Sequence, residues 1–216
     1  MRTDTEIQAD VMKEVQWDPS VTATHIGASV VDGVVTLTGY VPSYAEKWAA
    51  EKAAERVAGV KAVADELEVR LPEESRRDDV AIARAAAEAL EWSVMVPDGV
   101  KVIVENGWAT LKGEVDWEFQ KKQAEKIVRN LTGVVGVINE IALKSKIQPS
   151  DVKKKIEEAL KRAAAEQANH IDVKVEGKKV ILKGTVRSFE EYWAAKNAAW
   201  SAPGVTEVEA DIDVAA

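Results

Sequence analysis

Apolar residues recur along this chain in two alternating spacings, and the same order of spacings appears three times. Each repeat opens with apolar residues four positions apart, the spacing of an amphipathic helix. These residues are Ile7, Val11 and Val15, then Ile82, Ala86 and Leu90, then Val152, Ile156 and Leu160. Two alternating stretches follow, and they predict strands with one buried face and one mostly polar face. The chain is therefore predicted to be an array of three similar units.

A tight turn is predicted between the two strands of each unit. Asp32-Gly33 and Asn106-Gly107 are pairs that tolerate positive φ in a two-residue hairpin turn. The third unit carries Glu176-Gly177-Lys178-Lys179 instead, which predicts a turn that is one residue longer and bulged. A second glycine marks the end of each hairpin, at Gly39, Gly113 and Gly184.

An alanine-rich helix and a third strand complete each unit. The helix starts are indicated by Ser43 with Glu46, by Asp116, and by Ser188 with Glu191, and the helix ends by Gly59, Gly133 and Gly204. Because this helix joins the second and third strands, those two strands should run parallel. The predicted fold is α+β: three tandem α-β-β-α-β domains at residues 1–72, 73–146 and 147–216. Each has a three-stranded mixed sheet with two helices on one face.

Composition removes several classes of function. The net charge of −8 argues against nucleic-acid binding, which needs a basic surface. The absence of cysteine removes disulfide frameworks and thiolate zinc sites. His25 and His170 precede the first strand of different units, so a shared metal site is not expected. No glycine-rich phosphate loop or nucleophile–base spacing is recognisable, and we predict that the protein is not an enzyme and uses no cofactor.

The repeated motif resembles the BON domain, a family named for bacterial osmotically inducible and nodulation proteins. In the first unit the motif reads Gly33-Val34-Val35-Thr36-Leu37-Thr38-Gly39, then Ser43 with Glu46, then Gly59-Val60 leading to Leu67. Asn139 supplies the family's asparagine in the second unit, where the first has Asp65 and the third departs with Ala210. The resemblance implies a bacterial, non-enzymatic module associated with envelope maintenance or osmotic stress and proposed to bind phospholipid.

The first residues run into a helical pattern without the apolar core of a signal peptide. This start predicts a cytoplasmic protein, and a periplasmic one if a leader has been removed. No apolar run is long enough for a membrane span.

One face of the second helix in each unit should point away from its own domain. The residues on this face are Trp48, Lys52 and Glu55, then Lys122, Lys126 and Arg129, then Trp193, Asn197 and Trp200. Tryptophans are seldom left facing water, so Trp48, Trp193 and Trp200 are predicted to contact a neighbouring unit or a second chain of a homo-oligomer. Indole rings against the basic side chains of the second unit are one such arrangement.

A basic row on the second unit is the candidate binding site. It consists of Lys121, Lys122, Lys126 and Arg129, with Trp117 at the start of the helix. Basic and aromatic side chains together suit a surface of anionic phospholipid, although a solvated helix face has the same composition. The expected function is phospholipid or envelope binding linked to osmotic or envelope stress. The alternative is a protein-interaction scaffold that uses exposed helix faces and sheet edges.

Overall fold

A computed structural model describes residues 2–144, 156, 158 and 171–214 of the chain. The first domain contains five main elements in the predicted order. They are α1 (Asp4–Trp17), β1 (Ile26–Val31), β2 (Val34–Val41), α2 (Tyr44–Glu55) and β3 (Ala62–Val69). Strand β2 is central: it pairs antiparallel with β1 and parallel with β3. The mixed sheet that a crossover helix requires is therefore confirmed.

The second domain repeats this plan with a divided last strand. Its elements are α3 (Asp79–Glu91), β4 (Lys101–Glu105), β5 (Trp108–Lys112), β6 (Glu114–Val115), α4 (Glu118–Arg129), β7 (Gly136–Asn139) and β8 (Ala142–Leu143). The main sheet has the order β4-β5-β7, and β6 pairs with β8 beside it. The division follows Asn139, whose side-chain oxygen accepts a hydrogen bond from the backbone N–H of Ile141.

The third domain is described from its first strand onward. Its elements are β9 (Ile171–Glu176), β10 (Lys179–Val186), α5 (Phe189–Trp200) and β11 (Glu207–Val214), with β10 in the centre. Of the predicted first helix, Ile156 and Glu158 are helical, and Ile156 is fully buried. Val152, Leu160 and His170 lie outside the described residues.

Each domain has a hydrophobic core of its own, on the face of the sheet that the helices cover. The centre of each core is the same position of the middle strand: Leu37, Leu111 and Leu182 are all fully buried. Alanines of the second helix lie against them, including Ala53 and Ala199, which have no exposed surface. The core therefore lies on the predicted buried face of the strands, and the predicted alanine-rich helix packs against it.

Two hairpin glycines are required by a close approach of the backbone. Gly39 has a φ of 110°, and a Cβ atom there would lie 1.9 Å from the carbonyl oxygen of His25. Gly113 has a φ of 139°, and its Cβ would lie 2.7 Å from the carbonyl oxygen of Gly99. The repeated glycine thus allows the second strand to pass directly against the segment that enters the first strand.

Two local predictions are wrong. In the third hairpin Glu176 pairs with Lys179, so the turn has two residues and no bulge, and Gly177 takes its first position with a φ of 60°. That position suits glycine in a type II′ turn. The second error concerns Asp116, which does not cap α4. The helix begins after Trp117, and the side chain of Gln120 accepts the backbone N–H groups of Asp116 and Trp117 instead.

Candidate functional site

The second helices of the three domains contact one another through their outward faces. The guanidinium carbon of Arg129 lies 3.7 Å from the ring centre of Trp48, which joins domains 2 and 1. The indole N–H of Trp193 donates to Glu55 at 3.0 Å, which joins domains 3 and 1. Lys122 donates to the side-chain oxygen of Asn197 at 2.9 Å, which joins domains 2 and 3. Every domain therefore contacts both others.

These contacts follow one cyclic order. Trp48, Lys122 and Trp193 occupy the same repeat position, and each contacts a later turn of the second helix of another domain. Domain 1 contacts domain 2 in this way, domain 2 contacts domain 3, and domain 3 contacts domain 1. The helix starts keep this order, because Tyr44 packs against the core of domain 2 and Phe189 against the core of domain 1. The three helices are thus related by an approximate threefold arrangement.

Cations and indole rings dominate the two boundaries of domain 1. Arg129 is only 8% exposed beneath Trp48, and desolvation lowers the pKa of its guanidinium. Lys52 lies 5.8 Å from the ring of Trp48 and 4.8 Å from that of Trp193. It also forms an ion pair with Glu55 at 2.8 Å. Partial desolvation strengthens such cation–π contacts, so these side chains hold the domains together.

The predicted basic row is not one exposed surface, and this part of the prediction is corrected. Arg129 is buried at the boundary with domain 1. The ammonium group of Lys121 donates to the carbonyl of Ile141 at 2.8 Å, within its own domain. Lys122 reaches domain 3, and Lys126 is exposed. The helical phase was correct, but domain 1 covers Arg129 at the end of this face, whereas Lys122 and Lys126 remain exposed.

A groove opens where domain 2 meets domain 3. Its volume is about 440 Å³, and its walls come from α4 and its start on one side and from the end of α5 on the other. The lining residues are Trp117, Glu118, Phe119, Lys122, Asn197, Trp200 and Ser201. The rings of Trp117 and Phe119 lie 6.5 Å apart, and Phe119 is 53% exposed. The groove therefore combines three aromatic rings with an amine at its rim.

The groove exists because domain 2 differs from its neighbours at two repeat positions. At the helix start, domains 1 and 3 place the rings of Tyr44 and Phe189 in the adjacent core, whereas domain 2 has Glu118. One turn later, domain 2 has Lys122 where the others have Trp48 and Trp193. Two large rings are thus replaced by slender polar side chains, and the boundary between domains 2 and 3 stays open.

Glu118 makes this boundary sensitive to pH. Desolvation raises the pKa of its carboxyl above the usual 4.5, against the opposing effect of Lys122 and Lys121. The native state then holds the proton more tightly than the unfolded state, so stability falls as the pH rises from 4.5 through the native pKa. We expect Glu118→Gln to raise the melting temperature at pH 7, because it removes the charged form that burial disfavours.

Thermal unfolding followed by circular dichroism checks this expectation. The gain should shrink as the pH falls below 4.5, where the wild-type carboxyl is protonated in both states. Glu88→Gln, at an exposed position of α3, is the matched control. An equal gain at low and neutral pH would show that the effect is not electrostatic.

Two exposed tryptophans were missed by the analysis of the sequence. Trp17 and Trp92 occupy the same repeat position at the end of the first helix, and they are 84% and 87% exposed. Val94, in the loop after Trp92, is 98% exposed. Their exposure could have been predicted from helical spacing. Each lies two residues after the last core residue of its helix, Val15 or Leu90, and therefore off the buried face.

The described residues offer little for catalysis or metal binding. No group of three or more His, Cys, Asp or Glu side chains that could hold a metal ion occurs among them. His25 stacks on Tyr40 with ring centres 4.3 Å apart. Within the same residues, no helix has the length and apolar character needed to cross a membrane.

Comparison with known proteins finds a relative in sequence and two solved structures with partial similarity. Osmotically-inducible protein Y of Escherichia coli (strain K12) is 32% identical over 146 residues, which are 65% of this chain and 73% of that protein. A solved structure of CdsD, a structural protein of the type III secretion system of Chlamydia trachomatis, has a TM-score of 0.26 at 15% identity over 97% of this chain and 92% of that one. Its C-terminal domain has a TM-score of 0.27 at 14% identity, over 100% of both chains.

The family assignment rests on the repeats themselves. The BON domain matches residues 3–70, 78–145 and 149–216, which together span nearly the whole chain. Neither this family nor the osmotically inducible relative belongs to a class of enzymes. The chain belongs to the BON domain family and carries three BON domains in tandem.

Proposed function

We propose that this protein is a non-catalytic binding protein that acts in osmotic or envelope stress and binds anionic phospholipid. The link to osmotic stress is supported by the relative, osmotically-inducible protein Y. The observation that carries the lipid proposal is the groove between domains 2 and 3. It places Trp117, Phe119 and Trp200 beside the exposed amine of Lys122, and Lys126 follows one turn along the same helix.

This combination matches the chemistry of a phospholipid surface. Aromatic rings with one wet side favour the boundary between head groups and acyl chains. A lysine close to an anionic bilayer contributes about 1 kcal/mol. Because the whole protein has a net charge of −8, most of its surface is repelled by such a bilayer, and attraction is confined to a local cationic region.

Co-sedimentation with vesicles tests the proposal. We expect binding to phosphatidylglycerol vesicles and much weaker binding to phosphatidylcholine. Binding should weaken as salt shortens the Debye length from about 30 Å at 0.01 M to about 8 Å at 0.15 M. Lys122→Glu with Lys126→Glu should reduce binding at low salt by at least about tenfold, because two attractive charges become repulsive.

The matched control is Lys61→Glu with Lys101→Glu, two exposed lysines away from the groove that give the same change in net charge. It should bind more strongly than the groove variant. Equal losses in the two double variants would show a general charge effect and exclude the groove as the site. Unchanged binding of the Lys122/Lys126 variant would exclude it as well.

A protein-interaction scaffold is the second candidate function. It is favoured by Trp17 and Trp92, which are almost fully exposed at equivalent positions of two domains. Large aromatic side chains that are this exposed are typical of surfaces that bind other proteins. The same vesicle assay separates the candidates: if the groove binds lipid, Trp17→Ser with Trp92→Ser leaves sedimentation with vesicles intact.

A further inference from the structure

Strand β4 is an edge strand with free backbone groups. It pairs with β5 on one side, and no other strand in the described part of the chain pairs with its second side. Glu105 and Trp108 flank the two-residue turn and form a hydrogen-bonded pair, and antiparallel pairs alternate from there. The N–H and C=O groups of Val102 and Val104 therefore point away from β5, toward the side of β4 that has no partner strand.

The equivalent edge of domain 1 is covered by a side chain. Gln8 on α1 donates from its amide nitrogen to the carbonyl oxygen of Ala28 on β1 at 2.7 Å. Ala28 pairs with Leu37 as Val102 pairs with Leu111, so the two carbonyls are equivalent. The residue of domain 2 that corresponds to Gln8 is Ala83, which has no donor. The outward carbonyl of Val102 thus lacks the bond that its counterpart forms.

A groove lies beside this open edge. It has a volume of about 520 Å³ between α3 and β4, and its apolar lining includes Ala83, Ala87, Leu90, Val96 and Val102. In domain 1, Gln8 and Met12 stand at the positions of Ala83 and Ala87. The smaller side chains of domain 2 leave room for an additional apolar group next to the free backbone.

The rim of this groove has an excess of negative charge. Glu91 and Asp98 both line it, and neither forms an ion pair with any residue that the structure describes. Lys101 is the one basic residue of the lining. An occupant that carries a basic side chain at this end would therefore be attracted.

We propose that an extended peptide segment of another protein binds along β4. Its backbone N–H and C=O groups pair with Val102 and Val104, which adds a fourth strand to the sheet of domain 2. One of its apolar side chains enters the groove, and a basic side chain lies against Glu91 and Asp98. This site is on the side of domain 2 formed by α3 and β4, so it does not depend on lipid binding by α4.

The test uses the full chain and a fluorescein-labelled peptide of sequence Lys-Val-Thr-Val-Thr-Val-Lys. We expect a rise in fluorescence polarisation on binding, together with shifts of the Val102 and Val104 amide signals in nitrogen-15 NMR spectra. Ala83→Gln transplants the covering amide of domain 1 and should weaken binding by about tenfold, or about 1.4 kcal/mol. The same peptide with alternate backbone nitrogens methylated should not bind, because it cannot pair with the edge.

The reverse exchange is the matched control. Gln8→Ala uncovers the edge of domain 1 and should add peptide-dependent shifts at Ala28 and Val30 without weakening the site on β4. A melting temperature close to that of the wild type confirms that each variant is folded. Binding that survives Ala83→Gln, equal binding of the methylated peptide, or shifts confined to residues outside β4 would each overturn the proposal.

Discussion

Replacing Gly39 with alanine is expected to unfold the first domain. The new Cβ atom would lie 1.9 Å from the carbonyl oxygen of His25, and the residue would have to keep a φ of 110°. The clash is with backbone at the start of β1, where Ile26 pairs with Gly39, so neither side can withdraw without breaking the strand pair. We expect a loss of about 4 kcal/mol or more, close to the whole stability of a domain of this size.

Urea denaturation followed by circular dichroism measures this loss. Gly177→Ala is the matched control, because Gly177 also has a positive φ, 60°, but a Cβ atom there would have no neighbour within 4 Å. The control should cost about 1 to 2 kcal/mol, the backbone penalty alone. Similar losses in the two variants would show that the contact with His25 is easily relieved and that the prediction is wrong.

Trp48→Ala is expected to uncouple domain 1 from domain 2. The indole ring covers the guanidinium of Arg129, which is 8% exposed and has a lowered pKa because it is desolvated. Without the ring, a buried cation would lose its aromatic partner and a cavity would form between two helices. We expect a loss of about 3 kcal/mol, from packing and the cation–π contact together.

Scanning calorimetry distinguishes uncoupling from general destabilisation. The variant should show a transition of domain 1 that separates from the rest, at a lower temperature than in the wild type. Trp92→Ala removes a tryptophan that is 87% exposed and should change the free energy of unfolding by less than about 0.5 kcal/mol. A double-mutant cycle with Arg129→Ala should give a coupling energy of about 1 to 2 kcal/mol; a value near zero would contradict the proposed contact.

Most of the fold was predictable because the same spacing of apolar residues and glycines occurs in all three repeats. The alternation around Leu37, Leu111 and Leu182 predicted the buried face of the second strand, and all three residues are fully buried. The third turn was mispredicted because Gly177 was aligned with Gly33 and Gly107. The strand pairing shows that Gly177 precedes the position they occupy, and such a shift in register depends on partners that lie far apart in the sequence.

The bonds between the first helix and the hairpin were also not predicted. Asp4 accepts the backbone N–H groups of Asp32 and Gly33, and Asp79 accepts those of Asn106 and Gly107. The two aspartates occupy the same repeat position, so their recurrence was visible in the sequence. Their role was not, because an acidic residue in the first turn of a helix is already explained by the helix dipole.

The candidate site shows where inference from helical phase ends. The spacing of Trp48, Lys122 and Trp193 correctly assigned them to an outward face, since that depends only on the 3.6-residue period. The same argument left two roles open for Arg129: packing against an indole ring of another unit, or a place in an exposed basic row. The contact with Trp48 agrees with the first. The burial of Arg129 depends on how domains 1 and 2 dock, and that docking depends on shape and charge across a boundary that no local pattern encodes.

The cyclic order of the helix contacts also limits the number of repeats that can take part in them. Each domain offers one face to the domain ahead and receives one from the domain behind, and with three members the last face meets the first. Contacts of this head-to-tail kind either continue without limit or close on themselves. Here they close. The outward faces of α2, α4 and α5 are already paired with one another, so the second helix of a fourth repeat could not join this set of contacts.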